Sequence, residues 1–126
     1  MCSGRVDPTF VLKAFAAGAD GVLVCGCHPG DCHYIEGNYK TMRRFELLKD
    51  LVRGYGIDER RVRLEWVSAS EGERFALLVD EMTAELAALG PCELGPALAD
   101  PRADLDSRSD AHRPFRIGRG GVRFTV

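Results

Sequence analysis

The sequence lacks the features of a membrane-spanning or exported protein. No stretch approaches the roughly 18 consecutive apolar residues that a membrane span needs. The first residues, MCSGRVDPTF, contain no basic region followed by an apolar run, so no secretory signal is expected. The formal net charge is only −2, which gives no overall attraction to nucleic acid or to an anionic lipid surface. We therefore expect a chain that binds neither nucleic acid nor membrane.

Cysteine, by contrast, is plentiful, with five in 126 residues. Without a secretory signal the expected location is the reducing cytoplasm, where clustered cysteines serve as ligands or redox groups more often than as disulfides. Cys25, Cys27 and Cys32 stand with two histidines in the segment CGCHPGDCHY at 25–34. Because a turn does not need three thiols, this segment is the first candidate for a binding site.

The spacing of apolar residues predicts alternating helices and strands. Three helices are predicted, beginning at Pro8, near Asn38 and after Ser70, and two strands are predicted over 22–24 and 61–67. Short links between alternating helices and strands favour parallel strands covered by helices. We expect an α/β fold, a flavodoxin-like or Rossmann-like half, forming one domain over residues 1–91.

Local patterns refine two of these elements. Apolar and charged residues alternate over 61–67, which predicts a strand with one face in solvent and Trp66 in the core. Ser70 and Glu73 have the spacing of a capping box, so Ser70 is predicted as the N-cap of the third helix. Phe75 is predicted on the buried side of that helix.

Residues 92–126 are predicted to be a flexible, disordered tail, because Pro, Asp, Arg and Ser dominate the segment 92–114 without any period. The last stretch, RPFRIGRGGVRFTV, alternates basic and apolar residues. It is a candidate for a segment that orders on a partner, although a mobile terminus is the favoured interpretation.

Three loops should meet at one edge of the sheet, because functional residues of open α/β sheets lie at the carboxyl ends of the strands. The first loop carries Cys2, the second is the segment 25–34, and the third carries Ser68 and Glu71. Cysteines that are far apart in sequence can thus share one site.

Four interpretations of the cysteines remain open from spacing alone. Cys27 and Cys32 enclose a Pro-Gly pair, as in loops that hold iron–sulfur clusters, and this interpretation is favoured. His28 or His33 would complete a zinc site, although the second C-x2–4-C pair of such sites is missing. A catalytic dithiol is the third interpretation, although such a pair usually has the spacing C-x2-C, which these cysteines do not have. The fourth interpretation is that the thiols are small buried apolar groups.

Two cysteines are weaker candidates. Cys25 lies at a strand end, where a metal ligand and a core residue are equally compatible with the pattern. Cys92 follows the last predicted helix and is predicted to have no role in a site.

Four motifs occur in a characteristic order: CSGR at 2–5, GCHPGDCHY at 26–34, GNY at 37–39 and EWVSASEGE at 65–73. With them the sequence resembles the methyl-viologen-reducing hydrogenase delta subunit family over about residues 1–91. The family's cysteine motifs match Cys2, Cys27 and Cys32, which are therefore candidate metal ligands, with Cys25 a weak candidate for the fourth.

The resemblance implies a 2Fe–2S cluster and a role in electron transfer within an oxidoreductase complex, rather than as a catalyst alone. The implied partners are subunits of a hydrogenase or a formate dehydrogenase on one side. On the other side is a flavoprotein like the A subunit of heterodisulfide reductase, which holds the flavin. A zinc-stabilised interaction module and a thiol-redox protein are the alternatives.

The chain departs from that family in its N-terminal part. Two strands make a small sheet, and residues 1–5 precede the first helix much as the cysteine segment precedes the second. Family members begin with a strand and a C-x-x-C motif upstream of CSGR, and neither is present here. We therefore expect a reading frame that starts at an internal methionine, with the missing strand in a longer form of the chain or in a partner.

Overall fold

A computed structural model describes residues 2–93 and the backbone of Arg123–Thr125. Helices α1 (Pro8–Ala16), α2 (Gly37–Gly54) and α3 (Gly72–Leu89) alternate with strands β1 (Val22–Gly26) and β2 (Val62–Trp66). The predicted α/β alternation is confirmed, whereas most of the predicted tail lies outside the described residues. Within the described part, none of the helices combines the length and apolar character that crossing a membrane requires.

The first helix begins as its sequence predicts. Asp7 is the N-cap and its Oδ1 accepts a hydrogen bond from the Thr9 backbone N–H at 2.8 Å, while Pro8 occupies the first helical position. Beyond the helix, Gly18 has φ +88, a left-handed conformation that glycine adopts without strain. The chain can therefore turn directly from α1 into β1.

The sheet has three parallel strands, with β1 in the centre. Val22 of β1 is opposite Val62 on one side and opposite Arg123 on the other. The third strand, β3 (Arg123–Thr125), adds to the two that the sequence predicts, and it lies in the segment assigned to the tail. A strand of three residues in a basic, glycine-rich stretch is too short to show an alternating pattern. It occupies the edge of β1 that β2 leaves free.

The two faces of the sheet are covered by different helices. Val22 and Val24 of β1 point into a core formed with α1 and α2, whereas Leu23 points to α3. The first core contains Val11, Phe15, Val22, Val24, Phe45, Leu48, Val52, Ile57 and Val62. The second is smaller and contains Leu23, Met82 and Leu86. The strand is thus buried on both faces, as its continuous apolar run predicts.

The start of α3 differs from the predicted capping box. The helix begins at Gly72 with Glu71 in the N-cap position, and no side chain caps it. Ser70 lies in the preceding turn, in which the Glu71 N–H donates to the Ser68 carbonyl at 2.9 Å. Phe75 is 36% exposed rather than buried, whereas Leu78, Met82 and Leu86 farther along the helix are buried.

The predicted solvent face of β2 is also partly covered. Arg63 is half-buried and donates to Glu65 and to Glu81 of α3, each at 2.9 Å. Trp66, predicted in the core, is only half-buried. Its ring lies beside Gly26, where a Cβ would come within 2.9 Å of the Trp66 Cζ3. Trp66 therefore packs against the end of β1 near the cysteine segment.

Arg61 is buried, and its replacement is expected to destabilise the fold. Its guanidinium donates to the carbonyls of Asp20, Leu89 and Pro91, so it joins the end of α3 to the turn before β1. Arg61→Ala should lower the free energy of unfolding by about 2–3 kcal/mol, because three carbonyls lose the charged donor that they share. Urea unfolding monitored by circular dichroism measures this.

Arg60→Ala is the matched control for that experiment. Arg60 pairs with Asp58 at 2.6 Å on the surface, where solvent screens the attraction and loss of the pair should change the free energy of unfolding little. Equal losses for the two variants would contradict the structural role of Arg61.

Candidate functional site

The first two loops meet at the carboxyl edge of the sheet, as expected. Cys2 and Cys32 are 30 positions apart in sequence, yet their Sγ atoms are 3.5 Å apart. Both cysteines are free thiols, with Cys32 buried and Cys2 half-buried. The fold therefore pairs one thiol from the CSGR motif with one from the GCHPGDC motif.

Cys2 is held in place by the short 3-10 turn Ser3–Arg5. The Gly4 N–H donates to the Cys2 Sγ at 3.4 Å, and Arg44 of α2 donates to the Gly4 carbonyl at 2.6 Å. Thr41, one turn earlier on α2, donates to the Ser3 hydroxyl at 3.1 Å. Helix α2 thus fixes the CSGR turn through two of its side chains.

Gly37, the first residue of α2, leaves the space that the two thiols occupy. A Cβ at this position would lie 2.2 Å from the Cys2 Sγ and 3.0 Å from the Cys32 Sγ. Gly4 has a similar constraint, because its Cβ would lie 2.9 Å from the Cα of Gly37. The two backbones and two sulfurs come together only because neither residue has a side chain.

The surroundings of Cys32 stabilise its thiolate. Burial acts to raise the pKa of the Cys32 thiol. Hydrogen bonds outweigh this effect and lower the pKa; their donors are the backbone N–H of Tyr34, the Cys2 thiol and the backbone N–H groups of Asn38 and Gly37. The last two N–H groups belong to the first turn of α2, where unpaired donors and the helix dipole favour an anion. Cys32 is therefore prepared to act as an anionic ligand or nucleophile.

Cys27 lies on the same loop but is not part of the pair. It is half-buried. The buried Asn38 side chain fixes the backbone around it by donating to the His28 carbonyl at 2.8 Å and to the Cys27 carbonyl at 3.5 Å. Among the described residues, no three His, Cys, Asp or Glu side chains are grouped closely enough to hold a metal ion. The described chain thus brings two thiols together and positions a third on the adjoining loop.

Cys25 and Cys92 lie elsewhere. Cys25 packs beside Leu23 and Met82 on the α3 side of the sheet, and burial, with a contribution from the Glu65 charge, raises the pKa of its thiol. Burial also raises the pKa of Cys92, which packs against the α1–α2 core. The structure does not bring either thiol to the Cys2–Cys32 pair.

His28 connects the cysteine loop to the third loop. Its Nε2 lies 2.6 Å from Oε2 of Glu71, and the same carboxylate oxygen accepts the Ser68 N–H at 2.7 Å. Hydrogen bonds to the Ser68 N–H and to His28, with weaker contributions from the charges of His28 and Arg74, lower the pKa of Glu71. All three expected loops are therefore connected at one edge, although Glu71 contacts the histidine rather than a thiol. His33, the other histidine of the segment, instead packs edge-on against the Tyr34 ring at 5.2 Å.

Glu71→Gln is expected to remove an acid-dependent part of the stability. Because the folded-state pKa of Glu71 lies below its ordinary value of 4.5, the contribution is complete above that value and is lost as the pH falls through the lower folded-state pKa. The difference in free energy of unfolding between the wild type and Glu71→Gln should therefore shrink from about pH 6 to about pH 3. Chemical denaturation at each pH measures it.

His28→Gln is the control for this pH profile. Most of the effect should survive in this variant, because the Ser68 N–H, the larger cause of the lowered pKa, remains. A difference for Glu71→Gln that stays constant across the acid range would contradict this role.

The sequence pattern does not assign the positioning role of four residues on α2: Gly37, Asn38, Thr41 and Arg44. Gly37 and Asn38 come after the cysteine segment with two residues between, and Thr41 and Arg44 follow them at helical spacing. The predicted start of a helix beside the cysteine loop is the signal that could have indicated these residues, because the first two turns of such a helix must face the loop. The pattern does not say which partners they contact.

Chemically, the arrangement provides two adjacent sulfurs, one of them a stabilised thiolate, together with backbone N–H donors. Two thiolates bound to one tetrahedral metal with bonds near 2.3 Å are about 3.8 Å apart, close to the 3.5 Å seen here. The same distance also suits a reversible dithiol. The geometry therefore favours metal ligation or thiol redox chemistry over a purely structural role.

A family model and individual relatives agree on the family that this chain resembles. The family model described as methyl-viologen-reducing hydrogenase, delta subunit, matches residues 1–90. The chain is 54% identical over 94 residues to the iron-sulfur D subunit of the F420-non-reducing hydrogenase vhc of Methanococcus voltae, covering 75% of this chain and 65% of that protein. It is 58% identical over 90 residues to the iron-sulfur D subunit of the F420-non-reducing hydrogenase of Archaeoglobus profundus, covering 71% of this chain and 66% of that protein. The chain thus spans slightly less than two thirds of the length of these two relatives.

A second kind of relative is a much larger protein. It is the A subunit of the Ferredoxin/F(420)H(2)-dependent CoB-CoM heterodisulfide reductase of Methanosarcina acetivorans, 50% identical over 91 residues, which cover 72% of this chain but only 12% of that protein. The residues that the family model matches include the paired cysteines and the loops that surround them. The chain belongs to the methyl-viologen-reducing hydrogenase delta subunit family.

Proposed function

We propose that the chain is an iron–sulfur electron-transfer subunit that passes electrons between a hydrogenase or a formate dehydrogenase and a heterodisulfide reductase-type complex. The observation that carries this proposal is the pairing of Cys2 and Cys32 at 3.5 Å beneath the first turn of α2. Two of the relatives are iron–sulfur subunits by name, which favours iron over zinc. The cytoplasmic location stays a prediction.

The residues around the pair suit a thiolate-bound cluster. Such clusters are held mainly by cysteine thiolates, and hydrogen bonds from N–H groups to the sulfurs help to set their potential. Cys2 accepts the Gly4 N–H, and Cys32 accepts N–H groups from the start of α2. Gly37 keeps the side of the pair that faces α2 free of a side chain.

We assign the ligands to Cys2, Cys27 and Cys32, and the cluster type to 2Fe–2S, as the sequence resemblance implies. Such a cluster stores and releases one electron at a time when it is bound. Cys25 is omitted because it packs on the α3 side of β1. A four-ligand cluster therefore takes its fourth ligand from outside these three cysteines, and in the isolated, reconstituted chain a small thiol of the buffer fills that position. The chain's own residues hold the sulfurs, supply N–H donors and join the loops through Asn38 and the His28–Glu71 pair.

The proposed partner on one side is a flavoprotein like the A subunit of heterodisulfide reductase. In the Methanosarcina relative, a region similar to this chain makes up 12% of a single polypeptide of that name. Domains that are joined in one protein and separate in another commonly act together. We infer that this chain docks onto a protein resembling the rest of that polypeptide, with the hydrogenase or formate dehydrogenase as the electron donor.

Electron transfer through the chain tests the proposal directly. The full chain, purified without oxygen and loaded with iron and sulfide, is mixed with catalytic amounts of the donor hydrogenase under hydrogen. Its visible absorption at about 400–600 nm should bleach. Once the hydrogen is removed, the absorption should return when an excess of the oxidised heterodisulfide reductase flavoprotein is added. A coloured chain that neither protein reduces or reoxidises would contradict the electron-transfer role. A chain that stays colourless and iron-free would contradict the cluster.

A thiol-redox protein is the second candidate, and one observation favours it. Cys32 has a lowered pKa and a second thiol 3.5 Å away, which is the arrangement of a thiol that attacks and is then resolved by its neighbour. On this hypothesis Cys32 reacts with alkylating agents at unusually low pH in the iron-free chain. Uniform, ordinary reactivity of all five cysteines would exclude the candidate.

A further inference from the structure

Helix α2 and the turn before it carry a row of exposed apolar side chains on the side that faces away from the sheet. Ile35, Tyr39, Leu47 and Leu51 recur at multiples of four residues, with Arg43 between the second and the third, and they are 79%, 42%, 57% and 38% exposed. Residues four apart form a continuous ridge along a helix. We call these five residues the α2 ridge.

Exposure on this scale needs an explanation. A single exposed leucine is normal on a soluble protein, but several exposed apolar side chains along one side of a helix mark an interaction surface. The opposite side of the same helix is buried in the ordinary way by Phe45, Leu48 and Val52. Met42 and Tyr34, which are 44% and 60% exposed, widen the α2 ridge at its N-terminal end. The helix is therefore amphipathic only in part, with apolar residues on both faces.

The α2 ridge begins at the candidate site. The N–H of Ile35 donates to the Cys32 carbonyl at 2.8 Å, and Tyr39 lies two residues after Gly37. Ile35 has φ +61, an unfavourable conformation for a β-branched residue, and it projects into solvent. A partner seated on this end of the α2 ridge would lie next to the paired thiols.

The charge around the α2 ridge indicates what covers it. The segment 35–54, which carries the α2 ridge, contains five basic and three acidic residues, although the whole chain has a net charge of −2. A second copy of the chain would bring two basic helices together in a symmetric interface, which like charges disfavour. The segment 94–122 of the same chain has four aspartates and five arginines and is therefore not acidic either. An acidic partner fits best.

We propose that the α2 ridge is the docking surface for an electron-transfer partner whose contact face is an apolar groove bordered by carboxylates. This inference rests on the proposed function, because it names the surface through which that function operates. Leu47 and Leu51 would fill the groove, Arg43 and its basic neighbours would meet the carboxylates, and Ile35 and Tyr39 would bring the partner beside Cys32. Electrostatic attraction would make association dependent on salt.

The test measures binding of the iron-loaded chain to the heterodisulfide reductase flavoprotein by titration calorimetry, at low and at moderate salt. Leu47→Asp should weaken binding at least tenfold, because it places a like charge against the acidic groove. Arg43→Glu should weaken binding and reduce its dependence on salt. The matched control is Leu77→Asp on α3, because this leucine is also largely exposed, at 69%, but lies outside the α2 ridge.

The outcomes separate this inference from the proposed function. Wild-type-like binding by Leu47→Asp, or a loss confined to Leu77→Asp, would overturn the docking surface while leaving the electron-transfer role intact. Absence of binding by the wild-type chain would overturn the docking surface together with the partner assignment. The visible spectrum of each sample reports separately whether the cluster is present. Self-association of the chain that is abolished by Leu47→Asp would show that a second copy covers the ridge and would overturn the acidic partner.

Discussion

Gly37→Ala is expected to abolish iron loading while leaving the fold intact. The new Cβ would lie 2.2 Å from the Cys2 Sγ and 3.0 Å from the Cys32 Sγ, so the Cys2 sulfur would have to leave its position beside Cys32. In an ordinary helix position the same change would stabilise the protein by about 1 kcal/mol, because alanine is the better helix former. Iron per chain should fall below about a tenth of the wild-type value with no comparable loss of helix content.

Gly54→Ala is the matched control for this experiment. Gly54 is the last residue of the same helix, and a Cβ there would have no heavy atom within 4 Å. This variant should load iron like the wild type. If Gly37→Ala also loads iron normally, the Cys2–Cys32 pair is not the binding site and the proposed function loses its main support.

The second large effect is expected from the cysteines themselves. Cys2→Ser and Cys32→Ser should each remove most of the iron and the visible absorption, because serine keeps the size and polarity of the side chain but is a poor cluster ligand. Cys27→Ser should have the same effect if the proposed third ligand is correct. Iron and acid-labile sulfide are measured on the chain after anaerobic reconstitution, with circular dichroism as a check on folding.

Cys25→Ala is the control that distinguishes the two sides of β1. Cys25 packs beside Leu23 and Met82 rather than near the paired thiols, so its removal should leave iron loading unchanged. Loss of iron in Cys25→Ala together with retention in Cys32→Ser would contradict the ligand assignment.

The sequence predicts the parts of the fold that have strong local signals. Asp7 and Pro8 predict the start of α1, and the alternation of helices with short apolar strands predicts the parallel sheet. The rule that loops meet at the carboxyl ends of parallel strands is enough to bring Cys2 toward Cys32. These features follow from backbone geometry, which is why a single sequence reveals them.

Other features depend on tertiary contacts that a local pattern does not contain. The strand Arg123–Thr125 is defined by the free edge of β1, and the start of α3 is defined by the contacts of Glu71 with Ser68 and His28. Arg61 belongs to an alternating strand pattern that predicts a solvent face, yet it is buried among carbonyls. In each case a partner far away in sequence determines the outcome.

The side of β1 on which Cys25 lies could have been inferred more firmly. Successive residues of a strand point to opposite faces, so Cys25 must share a face with Leu23 and not with Val24. This rule applies only within the strand, because a residue beyond its end is free to turn into the loop. In the structure β1 continues to Gly26, and Cys25 is therefore within the strand.

The metal content and the electron paramagnetic resonance spectrum of the wild-type chain, purified and reconstituted without oxygen, test the proposed cluster most directly. We expect about two iron atoms and about two acid-labile sulfides per chain, with a signal from a single unpaired electron after one-electron reduction. That signal should be lost in Gly37→Ala and kept in Gly54→Ala. An iron-free chain that binds zinc, or one that retains its iron in Gly37→Ala, would contradict the proposed cluster at the Cys2–Cys32 pair.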